Sequence, residues 1–146
     1  RDRIDETVVR MRSVHDRRYH YIRNYTKGAG FKTLNRYKEK CFLVKPLMRE
    51  LEAAGKLSGP PLDLMQPFPD EMLFDTQADP HEIRNVAKSS DAEHQAALVR
   101  LQAALDTWIV ESGDRGHIAE PDEVVAPFEK EMHDWFGTPD WAREEQ

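Results

Sequence analysis

Two short segments near the start of the chain alternate between apolar and polar side chains. In TVVRMRSV, residues 7–14, valine and methionine alternate with arginine, and in RYHYIRNY, residues 18–25, three tyrosines fall on one side. A period of two in β-branched and aromatic residues is typical of β-strands. Asp16 lies in the polar sequence between them and suits a turn, so the pattern predicts an antiparallel β-hairpin.

The clearest helical pattern lies over residues 91–111. Four large apolar side chains recur there at intervals of three and four: Leu98, Leu101, Leu105 and Trp108. This spacing is typical of a buried stripe along one face of a helix. The sequence SGDRG that follows is expected to end the helix.

A second helical region is expected over residues 33–56. Leu47 and Leu51 lie one turn apart on a common face, and Gly55 suits the left-handed conformation that ends many helices. Pro46 kinks this helix or begins a new one, so the region can also consist of two helices.

The remaining segments are shorter. Residues 58–70 are rich in proline and are expected to form an extended connection, and residues 71–76, EMLFDT, are expected to form a third strand. Residues 113–146 are expected to form an extended tail with a short helix around 124–136. Together these elements predict an α+β fold.

Composition limits the classes of protein that the chain can represent. Its 146 residues fit one ordinary domain, and 39% hydrophobic with 33% charged residues allow a modest core. No run of 18 apolar residues is present, so no membrane span is predicted. The chain begins with Arg1 rather than Met, and we expect a segment of a longer polypeptide.

The charge is unevenly distributed along the chain, although the total is -6. Residues 1–50 contain 14 basic and 6 acidic side chains, whereas residues 51–146 contain 7 basic and 21 acidic ones. A basic first third can form a surface for an anion, or it can pair with the acidic remainder of the chain. The sequence leaves both explanations open.

The sequence DPHE has two explanations. Asp79 can cap a helix, Pro80 suits its first position, and Glu82 stands at the capping-box offset. The alternative is a zinc site of the H-E-x-x-H type, which needs a second histidine at the position of Asn85. The pattern therefore predicts a helix start.

Candidate catalytic side chains are few. Cys41 lies beside Phe42 in a predicted helix and is expected to be a buried, unreactive thiol, and Ser13 is expected to face solvent. No two of the six histidines have a clear metal-ligand spacing, so no structural zinc site is predicted. Glu82 and Glu93 are expected to be solvated surface carboxylates.

The first three residues form the candidate binding site. Arg1 and Arg3 flank Asp2 just before the hairpin, and guanidinium groups bind sulfate, phosphate or carboxylate in a bidentate manner. Five more arginines follow, at positions 10, 12, 17, 18 and 23. For most of these arginines, exposure on a strand face is the simpler explanation. The acidic chain and its alternating tyrosines argue against nucleic acid as a partner.

Three segments occur in an order found in one enzyme family: RDRIDETVVRMRSVHDRRYHYIRNY, EMLFDTQADPHEIRNVA and LVRLQAALDTW. The combination resembles the C-terminal region of a sulfatase and is most similar to the branch that includes heparan N-sulfatase (N-sulfoglucosamine sulfohydrolase). The resemblance extends over roughly residues 1–125. His15 departs from the arginine or other basic residue that is common at this place in the family.

The resemblance implies a fold for this chain and a catalytic domain that lies outside it. Sulfatases have a large, alkaline-phosphatase-like α/β catalytic domain and a smaller C-terminal subdomain. In that subdomain a small antiparallel β-sheet packs against a long C-terminal helix. Residues 1–146 would form one such α+β subdomain, with a core of about residues 1–112 and without the catalytic domain.

The resemblance also implies cofactors that belong to the parent enzyme. The family uses calcium and a formylglycine made in a C-x-P-x-R motif, and the calcium ligands belong to the catalytic domain. After Cys41 this chain has Leu43 where proline is required and Lys45 where arginine is required. We therefore expect no hydrolysis by this chain alone.

The function implied by the resemblance is that of the parent enzyme. It would cleave sulfate esters or sulfamates of a sulfated sugar, in the periplasm or outside the cell, with Arg1, Asp2 and Arg3 at the rim of its substrate pocket. Its partners would be the catalytic domain and the carbohydrate. The alternative is a stand-alone module that binds an anionic glycan or a protein without catalysis. A subdomain separated from its catalytic domain should also expose an apolar patch.

Overall fold

Residues 5–143 are described by the structure, which is a computed structural model. The elements in chain order are β1 (Met11–His15), β2 (Tyr19–Asn24), α1 (Arg36–Cys41), α2 (Val44–Ala53), α3 (Pro60–Leu64), β3 (Glu71–Asp75), α4 (Ala92–Ser112), α5 (Asp122–Phe136) and a 3₁₀ turn (Asp140–Ala142).

Contacts between residues divide the chain into two compact units. The sheet unit is formed by residues 9–27 and 68–118 and contains the three strands and α4. The helical unit is formed, within the described part of the chain, by residues 5–8, 28–67 and 119–143. It contains the other helices.

The predicted hairpin and third strand are confirmed. β1 pairs antiparallel with β2, with His15 opposite His20, and β3 pairs antiparallel with the other side of β2. Asp16 forms the turn as predicted. Its Oδ1 accepts hydrogen bonds from the backbone N of Arg18 at 2.8 Å and of Tyr19 at 2.7 Å, which fixes the path of the chain into β2.

One face of the sheet is covered by α4. The predicted stripe is buried at Leu98, Leu101 and Leu105, which share a hydrophobic cluster with Tyr21 and Leu73 of the sheet. Burial of each leucine side chain contributes roughly 1.5–3 kcal/mol, so these side chains hold the helix on the sheet. The fold is therefore α+β, with a small antiparallel sheet packed against a long helix, as predicted.

Trp108 does not belong to the buried stripe, contrary to the prediction, and its side chain is half exposed. The stripe continues at Ile109 instead, which packs against the same cluster as Leu105. Because successive residues of a helix are about 100° apart, Ile109 lies near the middle of the stripe and Trp108 lies at its edge. Asp91 caps the first turn, and Gly113 ends the helix in the left-handed conformation with a φ of 65°.

The helix start predicted at the DPHE sequence is wrong. Asp79 Oδ2 accepts a hydrogen bond from the backbone N of Arg84 at 2.7 Å, and Glu82 has a φ of 53°, outside the right-handed helical region. The following residues bind to the outer edge of β3 instead, because Asn85 Oδ1 accepts from the backbone N of Leu73 at 3.0 Å. A helix beginning here would leave that buried N–H unpaired.

Two helices occupy most of the region predicted as helical over residues 33–56. Asn35 caps α1, and its buried side chain also donates from Nδ2 to Asp5 Oδ2 at 2.7 Å. α2 begins two residues before Pro46, where the sequence allowed a second helix. Gly55 follows α2 in the left-handed conformation, with a φ of 65°, as predicted.

Other expectations for the helical unit need correction. Residues 58–70 are not wholly extended, because Pro60 begins the short helix α3, whose first position suits proline. Cys41 is exposed rather than buried, since it ends α1, a helix of six residues that buries none of them. The tail helix is confirmed and begins at Asp122.

Candidate functional site

The candidate site is a cavity of about 210 Å³ beside the hairpin turn of the sheet unit, here called the turn pocket. Its lining comes from β1, β2, the turn between them and the loop after β3: His15, Asp16, Tyr19, His20, Thr76 and Glu82. These side chains donate and accept hydrogen bonds, and two of them are imidazoles. The pocket is therefore suited to a polar ligand.

The two histidines of the turn pocket are placed by strand pairing. His15 and His20 are directly opposite each other in the β1–β2 ladder, and paired positions project to the same face of a sheet. Their ring centroids lie 6.2 Å apart with the ring planes nearly perpendicular. Both imidazoles therefore face the pocket, with His15 exposed and His20 half-buried.

Glu82 joins the pocket from the loop after β3. Its Oε1 and Oε2 lie 3.0 Å and 3.1 Å from Nδ1 of His20. The backbone of Glu82 is in the left-handed region, which costs a residue with a side chain roughly 1–2 kcal/mol. This conformation brings a carboxylate from the loop onto the outer face of the sheet.

Asp16 has a structural role in the turn pocket. The pKa of its carboxyl is lowered, first by the hydrogen bond from the backbone N of Tyr19, so the group is ionised at neutral pH. Its second oxygen, Oδ2, forms an ion pair with Arg100 of α4. The carboxylate therefore holds the turn in place and is not a candidate general acid.

A second cavity, of about 430 Å³, lies between the turn and α4. Arg18 lines it and donates to Asp75 at 2.7 Å and to Glu93 at 2.5 Å. The hydrogen bond from Arg18 lowers the pKa of Asp75 to about 2. Arg17 also lines this cavity, is exposed, and has no hydrogen bond or ion pair within residues 5–143.

Most arginines of the hairpin are paired with acidic residues from later in the chain. Arg12 binds Asp114 with two hydrogen bonds of 2.8 Å, from Nε and Nη2, and Arg23 forms an ion pair with Asp106. Of the two explanations that the sequence left open for the basic first third, local pairing holds for these side chains. Arg17, which has no such partner among the described residues, is the guanidinium of the turn that we consider for a ligand.

The structure brings together a different set of residues from those that the sequence singled out. The predicted rim residues Arg1, Asp2 and Arg3 lie outside the described residues, so that assignment stays a prediction. Ser13 is exposed, as expected. The contact between Glu82 and His20 was missed, because the two residues are 62 positions apart and no local pattern connects them.

Within residues 5–143, no group of three or more His, Cys, Asp or Glu side chains is arranged to hold a metal ion. The turn pocket, with two imidazoles and two carboxylates, does not form such a cluster either. The calcium implied by the sulfatase resemblance does not fit a site made by these residues. No helix in the described part of the chain is both long and apolar enough to cross a membrane.

Comparison with known proteins gives one informative similarity. Over 124 residues, 84% of this chain, the sequence is 35% identical to an ulvan-active sulfatase of Formosa agariphila. The chain spans only 20% of the length of that relative. No protein-family model matches the chain. Together with the α+β fold, the similarity supports a sulfatase C-terminal region.

Proposed function

We propose that the chain is the C-terminal subdomain of a sulfatase-type hydrolase that removes sulfate from a sulfated sugar. The observation that carries the proposal is the 35% identity over 124 residues to a segment amounting to 20% of a sulfatase. The hydrolytic centre would lie in the remaining part of a longer polypeptide. Cys41 would not be its nucleophile, since Leu43 and Lys45 replace the proline and arginine of the formylglycine motif.

The cofactors of the parent enzyme would likewise belong to its catalytic domain. Calcium and formylglycine would supply charge stabilisation and the nucleophile there. The subdomain would contribute a rigid support, because α4 is packed on the sheet by a buried leucine stripe and most of the hairpin arginines are paired with acidic residues.

The substrate contact of this subdomain would come from its first residues. Arg1 and Arg3 would bind sulfate or carboxylate groups of the sugar at the rim of the pocket, with Asp2 orienting them. They lie just before β1, which begins at Met11. Arg17 at the hairpin turn offers one more exposed guanidinium.

The bond that is cleaved depends on the branch of the family. The sequences MRSV, YIRNY and DPHE favour the branch that includes heparan N-sulfatase and hence a sulfamate, whereas the sequence similarity is to a protein described as ulvan-active. The substrate class is therefore a sulfated saccharide, with sulfamate and sulfate ester as the two chemistries to compare. The parent enzyme would act in the periplasm or outside the cell.

The test is sulfate release by the complete polypeptide of the native gene, with the 146-residue chain as control. We expect the complete protein to release sulfate from sulfated saccharides and the isolated chain to release none. Parallel sulfamate and sulfate-ester substrates identify the branch. A complete protein that releases no sulfate from either would overturn the proposal. A native product of about this length that binds sulfated glycans would instead favour a binding module.

The rim assignment has its own test. In the complete protein, Arg1→Ala and Arg3→Ala should each lower kcat/KM by roughly 10-fold or more, because each removes a charge-assisted hydrogen bond of about 1.5–3 kcal/mol. Arg115→Ala is the matched control, since Arg115 is exposed after α4. Equal kcat/KM in all three variants and the parent protein would exclude the rim role.

A further inference from the structure

The helical unit has a concentrated apolar surface where α1 meets α2. Four large apolar side chains, here called the apolar corner, are exposed within six residues: Phe42 at 48%, Leu43 at 78%, Val44 at 53% and Leu47 at 50%. Three of them are consecutive. Leu47 lies one turn after Leu43, since its backbone N donates to the carbonyl of Leu43 at 3.1 Å. The corner is therefore continuous.

The apolar corner is held in place by buried polar contacts behind it. Lys45 is buried, and its Nζ donates to the carbonyl of Thr33 at 2.9 Å and lies 3.3 Å from Oε1 of Glu39. On the α1 side, the Phe42 ring packs edge-on against Tyr37, with ring centroids 5.5 Å apart. The corner is therefore preformed, and an interface needs little further ordering of it.

Exposure of four neighbouring apolar side chains is unusual in a folded protein. Leucine, valine and phenylalanine are among the residues most often buried, and a single exposed one needs no explanation. Four neighbouring ones indicate a binding surface. Lys38 and Lys40 of α1 are exposed within four residues of Phe42 in the sequence, so cations are available on the α1 side of the corner.

We infer that the apolar corner is the surface on which the upstream catalytic domain of the same polypeptide docks. The inference rests on the proposed function. The inference is supported by the length of the sulfatase relative. The aligned segment is only 20% of that relative, so most of such an enzyme lies outside this chain. The facing surface would be apolar at its centre, with carboxylates near Lys38 and Lys40. Linkage within one polypeptide makes the contact intramolecular.

Cys41 provides a reporter beside the corner. It is exposed and directly precedes Phe42, so a docked domain would shield it from a thiol reagent. The experiment treats the complete native protein and the 146-residue chain with N-ethylmaleimide, and mass spectrometry then quantifies labelling of the Cys41 peptide. We expect labelling at least 10-fold slower in the complete protein. Equal rates, or a native polypeptide with no upstream domain, would overturn the inference.

A charged substitution tests the same surface independently. Leu43→Glu should lower the melting temperature of the complete protein and leave that of the isolated chain unchanged. Val110→Glu is the matched control, because Val110 is 81% exposed on α4, outside the corner. Docking at the corner would be contradicted if Leu43→Glu did not lower the melting temperature of the complete protein, or if Val110→Glu lowered it equally.

A second copy of this chain is the competing occupant. In that case Cys41 of the isolated chain would be labelled slowly and would become fast to label on dilution, and Cys41 of the complete protein would be labelled equally fast. This result would assign the corner to self-association and overturn the inference. These readouts are independent of sulfate release. Protected Cys41 without activity would contradict the proposed function alone, and activity with unprotected Cys41 would contradict the docking surface alone.

Discussion

Glu82 places both carboxylate oxygens within 3.1 Å of Nδ1 of His20 from a backbone with a φ of 53°. The contact joins the loop after β3 to the middle strand of the sheet, on the face that also carries His15. Two opposing effects meet at this residue. The left-handed backbone is unfavourable, and the carboxylate–imidazole contact is favourable but partly exposed to solvent.

Substitutions at Glu82 should separate these two effects. Glu82→Gly removes the contact, worth up to about 1 kcal/mol, but relieves a backbone cost of roughly 1–2 kcal/mol, so the free energy of unfolding should stay the same or rise slightly. Glu82→Ala loses the contact and keeps the strained backbone, so it should be about 1 kcal/mol less stable. Urea denaturation of both variants measures the difference. Equal destabilisation by glycine and alanine would show that the left-handed backbone carries no cost.

Gly116 provides a test of the Arg12–Asp114 pair. A Cβ at this position would lie 1.3 Å from Nη2 of Arg12, so Gly116→Ala must displace the guanidinium. Because Arg12 binds both oxygens of Asp114 and is partly buried, we expect a loss of about 1 kcal/mol in the free energy of unfolding.

The control for Gly116→Ala is a double-mutant cycle with Arg12→Ala. In the Arg12→Ala background the guanidinium is gone, so Gly116→Ala should have almost no further effect. The cycle is measured by urea denaturation of the four proteins. If the glycine substitution is equally destabilising in both backgrounds, the contact is with another part of the chain.

The elements that the sequence predicted correctly are those specified by local patterns. The alternation around Asp16 and the leucine spacing of α4 each depend on neighbours within a few residues, and both were found. The helix predicted from DPHE was wrong because its competitor is not local: Asn85 binds the edge of β3, 12 residues earlier in the chain at Leu73. Local capping chemistry cannot reveal that partner.

The candidate site was less predictable than the fold. The turn pocket combines His20 with Glu82, and strand pairing and a left-handed residue together create this contact. Burial was misjudged at Cys41 and Trp108, because spacing along the chain does not show which neighbour covers a side chain. Cys41 ends a helix that buries none of its residues, and Ile109 rather than Trp108 packs against the cluster under α4.

Asp75 should make the sheet unit sensitive to acid. The hydrogen bond from Arg18 lowers its pKa to about 2 from an ordinary value of 3.8. A carboxyl with a lowered folded-state pKa stabilises the fold above pH 3.8, and that stabilisation, on the order of 1–2 kcal/mol, is lost as the pH falls towards 2. Urea midpoints between pH 2 and pH 6 should therefore fall less in Asp75→Asn than in the parent protein.

The matched control for this pH dependence is Asp63→Asn. Asp63 is exposed in α3, and its substitution should leave the curve of urea midpoint against pH unchanged in shape. Arg18→Met should flatten the curve in the same way as Asp75→Asn, because it removes the donor. A curve that stays steep in Asp75→Asn would assign the acid sensitivity to other carboxylates.

Lys45 should be one of the most sensitive positions of the helical unit. It is buried, and the desolvation that comes with burial lowers the pKa of its ammonium group. Lys45→Met should lower the free energy of unfolding by about 1–3 kcal/mol, because the carbonyl of Thr33 loses its donor and the carboxylate of Glu39 loses one of its two cations and keeps Arg49. Thermal or urea denaturation checks the value.

A second substitution distinguishes loss of the charge pair from loss of packing. Lys45→Met combined with Glu39→Gln also neutralises the carboxylate that has lost its contact with Lys45, while methionine keeps most of the apolar stem of the lysine. We expect the double variant to recover part of the loss, since a neutral amide at position 39 no longer needs the cation that Lys45 supplied, while the carbonyl of Thr33 still lacks its donor. If the two losses add instead, the destabilisation comes from packing around residue 45, and the charge of Glu39 plays no part in holding the apolar corner.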